Sequence, residues 1–227
     1  MTAEAQTQPS APGVAMLRAL GGIAMLSGLL VVLVYQFTLP IIAENQRIAS
    51  EKAVFRVIPG AVSKRDFVLE AGGLTPLSEA ADNGGERVYA AYDGEGRLLG
   101  VAFSGAAQGY QDTIKLLFGY DPICQCVVGS KVLKSTETPG LGDKIDFDPD
   151  FMRNFEALDA RLNAAGDGLA NPIQTVKHGS KTEPWQIDAV SGATISSNAL
   201  GKALDASAQR LVPLFQRDLA KLSDAGG

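Results

Sequence analysis

The amino-acid sequence predicts an α+β protein in which one N-terminal transmembrane helix is followed by a single mixed α/β domain. Of its 227 residues, 46% are hydrophobic and only 20% are charged, below the roughly 25% charged residues of an average soluble domain. The apolar surplus lies in one uncharged run from Ala19 to Ala43. The short helical and strand-like segments that follow lack the regular alternation of a parallel βαβ sheet.

The composition excludes several classes of function. The 20 Lys+Arg residues against 25 Asp+Glu residues give a formal net charge of -5, whereas a nucleic-acid-binding domain needs a basic surface. Two cysteines are too few for a disulfide scaffold or a four-cysteine iron–sulfur cluster, and one histidine excludes a His-rich metal site. We therefore expect no nucleic-acid partner and no metal site.

The N-terminal part of the chain is expected to contain a disordered lead and an anchor. Residues 1–12 are small, polar and proline-containing, which is typical of disorder, and residues 13–42 form the predicted transmembrane anchor. Pro40 should end or kink the helix, so that Ala19–Leu39 spans about 31 Å, close to one hydrocarbon core. The alternative is a cleavable signal peptide, whose apolar core should be only about 7–15 residues long.

The charges that flank the apolar run do not settle the orientation of the anchor. Arg18 precedes the run, while Arg47, Lys52 and Arg56 follow it, which favours a cytoplasmic domain under the positive-inside rule. That rule weakens for long domains, which cross the membrane largely regardless of charge. The composition therefore leaves the side of the membrane open.

The domain is expected to occupy residues 43–227 and to begin with a helix that ends near Ile58, before Pro59-Gly60. Asp93–Gly96 is typical of a hairpin turn between two strands. Short segments rich in β-branched and aromatic residues predict five strands: Phe67–Leu69, Arg87–Tyr92, Leu98–Phe103, Thr113–Tyr120 and Cys126–Leu133.

The second half of the domain contains two further predicted helices and one strand. Asp148 followed by Pro149 is a typical helix start and predicts a helix that runs to about Leu162. A strand is expected around Ile173–Lys177. The closing helix should extend from about Ile195 to Leu211, and Pro213 should then force a kink or a restart.

A run of small residues from Asp188 to Ser197, D-A-V-S-G-A-T-I-S-S, lies where a loop becomes the closing helix. The first amide groups of a helix are unpaired and carry a partial positive charge, so they can hold a phosphate. Gly192 and Ala193 let the backbone approach a ligand, and the neighbouring hydroxyl groups can donate to phosphate oxygens. The alternative is an ordinary serine or threonine helix cap.

A second motif, Glu137-Thr138-Pro139-Gly140-Leu141-Gly142-Asp143-Lys144, predicts a rigid loop with accessible backbone amides. Such a loop suits a flat aromatic ring, because Leu141 can pack on the face of the ring while amides and hydroxyls reach its edge. The alternative is an ordinary Pro-Gly turn that connects two elements.

Together the two motifs resemble the covalent FMN-binding domain of the Rnf G subunit and of the C subunit of Na⁺-translocating NADH:quinone reductase. The resemblance also covers the single anchor and the closing helix. In that family the threonine of the Ser-Gly-Ala-Thr run bears FMN through a phosphoester, which places the flavin on Thr194. The resemblance implies that a flavin transferase, using FAD and Mg²⁺, recognises the preceding residues. The hydroxyl groups of Ser191 and Ser197 are expected to assist in holding the phosphate. The implied cofactor-binding residues are Asp188, Ser191, Gly192, Ala193, Thr194 and Ser197, with Glu137, Thr138, Gly140, Leu141 and Gly142 around the isoalloxazine.

The resemblance also implies a function. The chain would be an electron-carrier subunit of an ion-translocating oxidoreductase, coupling electron flow between ferredoxin and NAD⁺ to ion movement, with iron–sulfur and flavin subunits as partners. No catalytic residue is expected in this chain, which would be incomplete as an enzyme alone. The family places the N-terminus in the cytoplasm and the domain on the periplasmic side of the inner membrane.

Two alternatives stay open from the sequence. The chain could be the C subunit of the quinone reductase, although the Gly-Leu-Gly-Asp-Lys-Ile form of the loop is closer to the Rnf G subunit. It could also be an anchored binding or assembly module that carries no flavin, in which the Ser-Gly-Ala-Thr run only caps a helix.

The remaining chemically active residues are expected to have structural roles. Cys124 and Cys126 would point to one face of a strand, where a disulfide between them would be strained, so unpaired thiols are expected. His178 is expected to be a solvated loop residue, and Tyr110 an aromatic residue of the sheet.

Overall fold

The computed structural model describes residues 13–70, 73–78 and 85–224. The predicted disordered lead over residues 1–12 lies outside the described residues. The chain divides into two compact units, and the boundary between them in the sequence falls between Arg47 and Ile48.

The first helix, α1, extends over Gly13–Val57 and is 45 residues long. Among the described residues it is the one helix that is long and apolar enough to cross a membrane, judged by length and composition. The expectation that Pro40 ends the helix is wrong, because the helix continues through this residue. A proline removes a single backbone hydrogen bond, and the apolar residues on both sides remain compatible with a helix.

The centre of the second unit is an antiparallel sheet of seven strands in the order β2-β1-β3-β4-β5-β6-β7. The five predicted strands are confirmed, with small differences at their ends. The strands are β1 (Ser63–Glu70), β2 (Gly73–Pro76), β3 (Arg87–Tyr92), β4 (Leu98–Gln108), β5 (Thr113–Asp121), β6 (Cys126–Lys134) and β7 (Leu158–Asp159).

Each face of the sheet is covered by a helix, which explains why its central strands are buried on both sides. The long helix α3 (Thr194–Arg217) covers one face, where the rings of Phe103, Phe118 and Phe215 pack together. The last turns of α1, including Val54, pack on the opposite face. The predicted α+β architecture is therefore confirmed.

Two glycines allow α1 to approach the sheet closely. Gly119 on β5 and Gly129 on β6 are directly paired across the two strands. A Cβ atom at either position would collide with the carbonyl group of Val57. The end of α1 is therefore fixed against the sheet by backbone contact that only glycine permits at these two positions.

The predicted helix from Asp148 to Leu162 is only partly correct. Asp148 caps the helix as expected, because its carboxylate accepts hydrogen bonds from the N–H groups of Asp150 and Phe151. The α-helix α2 covers only Pro149–Met152, and a 3₁₀ helix follows over Arg153–Phe155. The chain then becomes β7, since pairing with the edge of the sheet outweighs the local helical preference.

The C-terminal part of the chain contains a small sheet and two helices. Strand β8 (Gln174–Val176), close to its predicted position, pairs in parallel with β9 (Gln186–Asp188). Helix α3 continues through Pro213, so the helix does not restart at this residue; the next helix, α4, is Leu219–Asp224. The last turns of α3 stay helical because their apolar side chains are part of the core.

The expectation of unpaired thiols is also wrong, because Cys124 and Cys126 form a disulfide. The expectation assumed that both residues lie on one strand, but β6 begins at Cys126, as predicted, and Cys124 lies in the preceding turn. Between them, Gln125 has a φ of 52°, and the Cα atoms of the two cysteines lie 5.3 Å apart. This separation is within the usual range for a disulfide.

Candidate functional site

The two motifs of the sequence meet at one end of the domain, where they line a cavity of about 450 Å³, called here the large cavity. The loop over Glu137–Gly142 forms one wall, and the start of α3 forms the other. The residues that line it are Tyr110, Glu137, Thr138, Leu141, Gly142, Gly192, Ala193, Thr194, Ile195 and Ser196.

Glu137 joins the parts of the chain that form the large cavity. Its side chain is buried, and one carboxylate oxygen accepts hydrogen bonds from the N–H groups of Tyr110 and Gln111, at 2.9 and 3.1 Å. The other oxygen accepts a hydrogen bond from the hydroxyl group of Ser196, in the first turn of α3. The carboxylate therefore fixes the β4–β5 turn, its own loop and the helix start relative to one another.

The start of α3 presents unpaired amide groups to the large cavity. Thr194 is the first residue of the helix, and Ala193 in the cap position supplies no side-chain hydrogen bond. Within the described part of the chain, the N–H groups of Thr194, Ile195 and Ser196 have no acceptor. Because these groups lie at the positive end of a helix of 24 residues, this position is suited to an anion.

The mouth of the large cavity is apolar and open to solvent. Leu141 is 51% exposed, Tyr110 68% and Ile195 53%, although all three are large and line the same cavity. The exposure of three such side chains at one cavity indicates a site that an apolar ligand or partner covers.

Two glycines with positive φ shape the loops around the large cavity. Gly140 has a φ of 77° and Gly192 a φ of 83°, conformations that a residue with a side chain adopts only with strain. Neither position is crowded, since a Cβ atom at Gly192 would have only Leu141 nearby and one at Gly140 would have no neighbour within 4 Å. The glycines are therefore required by backbone conformation rather than by lack of space.

Ser197 is held away from the large cavity. Its side chain is fully buried, and its hydroxyl oxygen accepts a hydrogen bond from the N–H group of Val190 at 3.1 Å. Ser197 therefore holds the loop that precedes α3 against this helix. The expected contact between its hydroxyl group and a phosphate stays a prediction.

Asp188 and Ser191 line a second, smaller cavity of about 210 Å³, called here the polar cavity. One oxygen of the Asp188 carboxylate accepts a hydrogen bond from the N–H group of Gly179 at 2.7 Å, and the other lies 3.6 Å from Nδ1 of His178. The other residues that line the polar cavity are Lys144, Asp148, Asp150, Phe151, Ala189 and Val190.

Sequence reasoning missed three residues near these cavities. Tyr110 lies in the turn between β4 and β5 rather than on a strand, and His178 faces Asp188 rather than solvent alone. Asn154 forms hydrogen bonds with the main chain of Asp188. No local pattern marks Asn154, because its partner is 34 positions away in the sequence.

Comparison with known families identifies an FMN-binding domain over residues 109–209. This range contains both motifs and all residues that line the large cavity.

Relatives with similar sequences are G subunits of ion-translocating oxidoreductase complexes. The chain is 33% identical to the G subunit of such a complex from Methanosarcina acetivorans, over 62% of this chain and 68% of the relative. It is 30% identical to the corresponding G subunit from Cereibacter sphaeroides, over 89% of this chain and 84% of the relative.

Solved structures share the fold at low sequence identity. The C subunit of the Na⁺-translocating NADH-quinone reductase of Parabacteroides distasonis matches with a TM-score of 0.58 and 21% identity, over 75% of this chain and 94% of that structure. NqrC of Shewanella oneidensis matches with a TM-score of 0.54 and 20% identity, over 74% of this chain and 88% of that structure. At such low sequence identity, the similarity shows a shared fold but does not show a shared function.

Proposed function

Because the chain belongs to the family of G subunits of ion-translocating oxidoreductase complexes, we propose that it binds FMN and carries electrons within a membrane complex of this kind. In detail, the FMN is attached to Thr194 through a phosphoester. The complex is of the Rnf type, which couples electron transfer between ferredoxin and NAD⁺ to ion movement.

The observation that carries this proposal is the position of Thr194. Its side chain is exposed at the large cavity, so an enzyme that transfers a flavin can reach its hydroxyl group. A phosphoester there remains anionic, and the unpaired N–H groups at the start of α3 lie beside it. The negative charge that attachment introduces is therefore stabilised by the helix that follows.

The large cavity fits the ring of the flavin. Its volume of about 450 Å³ lies within the range of small-molecule sites, and its mouth combines apolar side chains with few polar groups. Leu141 would pack on the ring, while Thr138 and the backbone of Gly140 and Gly142 would border it, with Glu137 holding the loop. FMN supplies the redox chemistry when bound, and the protein sets its position and surroundings.

The chain needs partner subunits to complete the reaction. Its two cysteines are joined to each other, so the described residues offer no thiolate set for an iron–sulfur cluster. Electrons would therefore reach and leave the FMN through the iron–sulfur and flavin subunits of the complex. A flavin transferase that uses FAD and Mg²⁺ would attach the FMN during maturation. It would recognise Asp188, Ser191, Gly192 and Ala193.

The chain is a single-pass membrane protein with α1 as its anchor, and we assign it to the bacterial inner membrane with the N-terminus in the cytoplasm. The disulfide between Cys124 and Cys126 favours a periplasmic domain, because disulfides persist in oxidising compartments and are rare in the cytoplasm.

The mass of the native protein tests the proposal. The protein isolated from its own membranes should weigh one FMN more, less one water, than its amino acids, and should give a fluorescent band after denaturation in SDS. Thr194→Ala should abolish both signals, while Thr182→Val, which removes another exposed threonine hydroxyl, should keep them. A native protein without added mass would identify an anchored module that carries no flavin.

A further inference from the structure

The side chain of Asn154 is a buried amide with four hydrogen bonds. Its Oδ1 atom accepts from the N–H group of Asp188 at 3.0 Å and from Nζ of Lys181 at 3.2 Å. Its Nδ2 atom donates to the carbonyl groups of Asp188 and Phe151, at 3.1 and 2.9 Å. Two acceptor positions and two donor positions are the full capacity of an amide, so the group is completely satisfied.

Two of these bonds hold the main chain of a single residue. The amide takes both the N–H group and the carbonyl group of Asp188, as a neighbouring β-strand would do. Only a side chain with a donor and an acceptor at this spacing can make both bonds. Aspartate has no donor when ionised, and glutamine is longer by one methylene group.

The pairing of Asn154 with Asp188 lies close in the chain to Thr194, the proposed residue of FMN attachment. Asp188 is the last residue of β9, and the loop that follows leads directly to Thr194. Asn154 lies on the 3₁₀ helix that follows α2 and is only 5% exposed, so it offers Asp188 a rigid support. With the main chain fixed, the carboxylate of Asp188 is directed to Gly179 and His178 in the polar cavity.

We infer that Asn154 is a positioning residue for FMN attachment, which holds Asp188 so that the flavin transferase meets a preformed acceptor loop. In this attachment the hydroxyl oxygen of Thr194 forms a bond to the FMN phosphorus of FAD, the pyrophosphate bond breaks, and AMP and the hydroxyl proton leave. The inference rests on the proposed function, because it concerns the same attachment to Thr194. Asn154 does not reach the transferred group and acts through Asp188 alone.

Lys181 offers a matched control. Its Nζ donates one of the four bonds, to the same Oδ1 atom that accepts from the N–H group of Asp188. Partial desolvation lowers the pKa of Lys181, an effect that the nearby Asp188 carboxylate opposes. Removing the ammonium group by Lys181→Met therefore leaves both bonds to the Asp188 main chain in place at little cost.

The test measures FMN transfer to the intact, detergent-solubilised protein. Wild type and variants are prepared without flavin and incubated with purified flavin transferase, FAD and Mg²⁺, and the attached FMN is followed by intact mass. Asn154→Asp, which keeps the shape but loses the donor, should lower kcat/KM for the acceptor protein about tenfold. The KM for FAD should not change, because FAD binds to the transferase. Lys181→Met should react within about twofold of wild type.

A second control separates positioning from general stability. Tyr92→Phe removes another buried hydrogen bond, that from the Tyr92 hydroxyl group to the Leu222 carbonyl at 2.7 Å. It should lower the melting temperature as Asn154→Asp does, yet accept FMN at the wild-type rate. The inference is overturned if Asn154→Asp reacts like wild type, or if Tyr92→Phe loses reactivity to the same extent. A wild-type protein that takes up no FMN overturns the proposed function, and the inference falls with it.

Discussion

The large cavity and the polar cavity share one loop but differ in character. Gly192, Ala193 and Thr194 line the large cavity, whose mouth is formed by exposed apolar side chains. Ser191, only one residue earlier, lines the polar cavity together with charged side chains that include Lys144 and Asp188. Thr194, the proposed residue of FMN attachment, thus belongs to the apolar site, and the charged site begins three residues earlier in the chain.

This difference suggests that the two cavities have different roles. An open apolar site is suited to hold the ring of a flavin, whereas a charged surface is suited to specific recognition by another protein. We therefore expect changes in the polar cavity to affect the attachment of FMN. Changes in the wall of the large cavity that Glu137–Gly142 form should instead affect the environment of an FMN that is already attached.

The largest expected effect is that of Asp188→Ala in the polar cavity. The change removes a carboxylate that accepts a hydrogen bond from Gly179 and lies beside His178. Hydrogen bonds to charged groups contribute about 1.5–3 kcal/mol, so FMN attachment should slow by up to about a hundredfold. Intact mass after incubation with the transferase measures the effect. Attachment at the wild-type rate would contradict the assignment of recognition to the polar cavity.

Glu137→Ala in the large cavity should lower the stability of the protein but leave FMN attachment possible. It leaves the N–H groups of Tyr110 and Gln111 and the hydroxyl group of Ser196 without their acceptor. The Ser196 hydroxyl group is buried, and an unpaired buried polar group costs about 1–3 kcal/mol, so the free energy of unfolding should fall by that amount. Urea denaturation measures the loss. Attachment to the folded protein should continue, and its complete failure would show that the two cavities are not separate in function.

The sequence was sufficient to predict the features that depend on local chemistry. The strands followed from β-branched and aromatic segments, and the two motifs placed the predicted site around Thr194 and the loop that contains Leu141. Both motifs do line one cavity in the structure. Their local sequences already carry the needed information, because glycine, proline and hydroxyl residues define loop shape directly.

The features that the sequence did not predict depend on contacts between distant segments. The residues after Phe155 leave the helical conformation because the edge of the sheet is available to pair with β7. Asn154 gains its role only from the approach of Asp188. The disulfide follows from the turn at Gln125, whose positive φ no residue type at that position indicates.

Substitutions at two glycines should have smaller effects and also test which part of the large cavity affects FMN attachment. Gly192→Ala and Gly140→Ala each place a side chain at a positive φ, which costs about 1–2 kcal/mol in unfolding free energy. Gly192 belongs to the acceptor loop and Gly140 to the opposite wall of the large cavity. We therefore expect equal losses of stability but slower FMN attachment only for Gly192→Ala. Equal rates for the two variants would show that the transferase tolerates a change in loop shape.

The smallest expected effect is that of Leu141→Ala. The side chain is about half exposed, so its truncation should change the free energy of unfolding by at most about 1 kcal/mol. FMN should be attached at the wild-type rate, because Leu141 lies outside the polar cavity. The attached ring should lose its apolar cover, and its fluorescence and its accessibility to a soluble quencher should increase. If quenching is the same as in wild type, Leu141 does not cover the ring, and the large cavity needs another assignment.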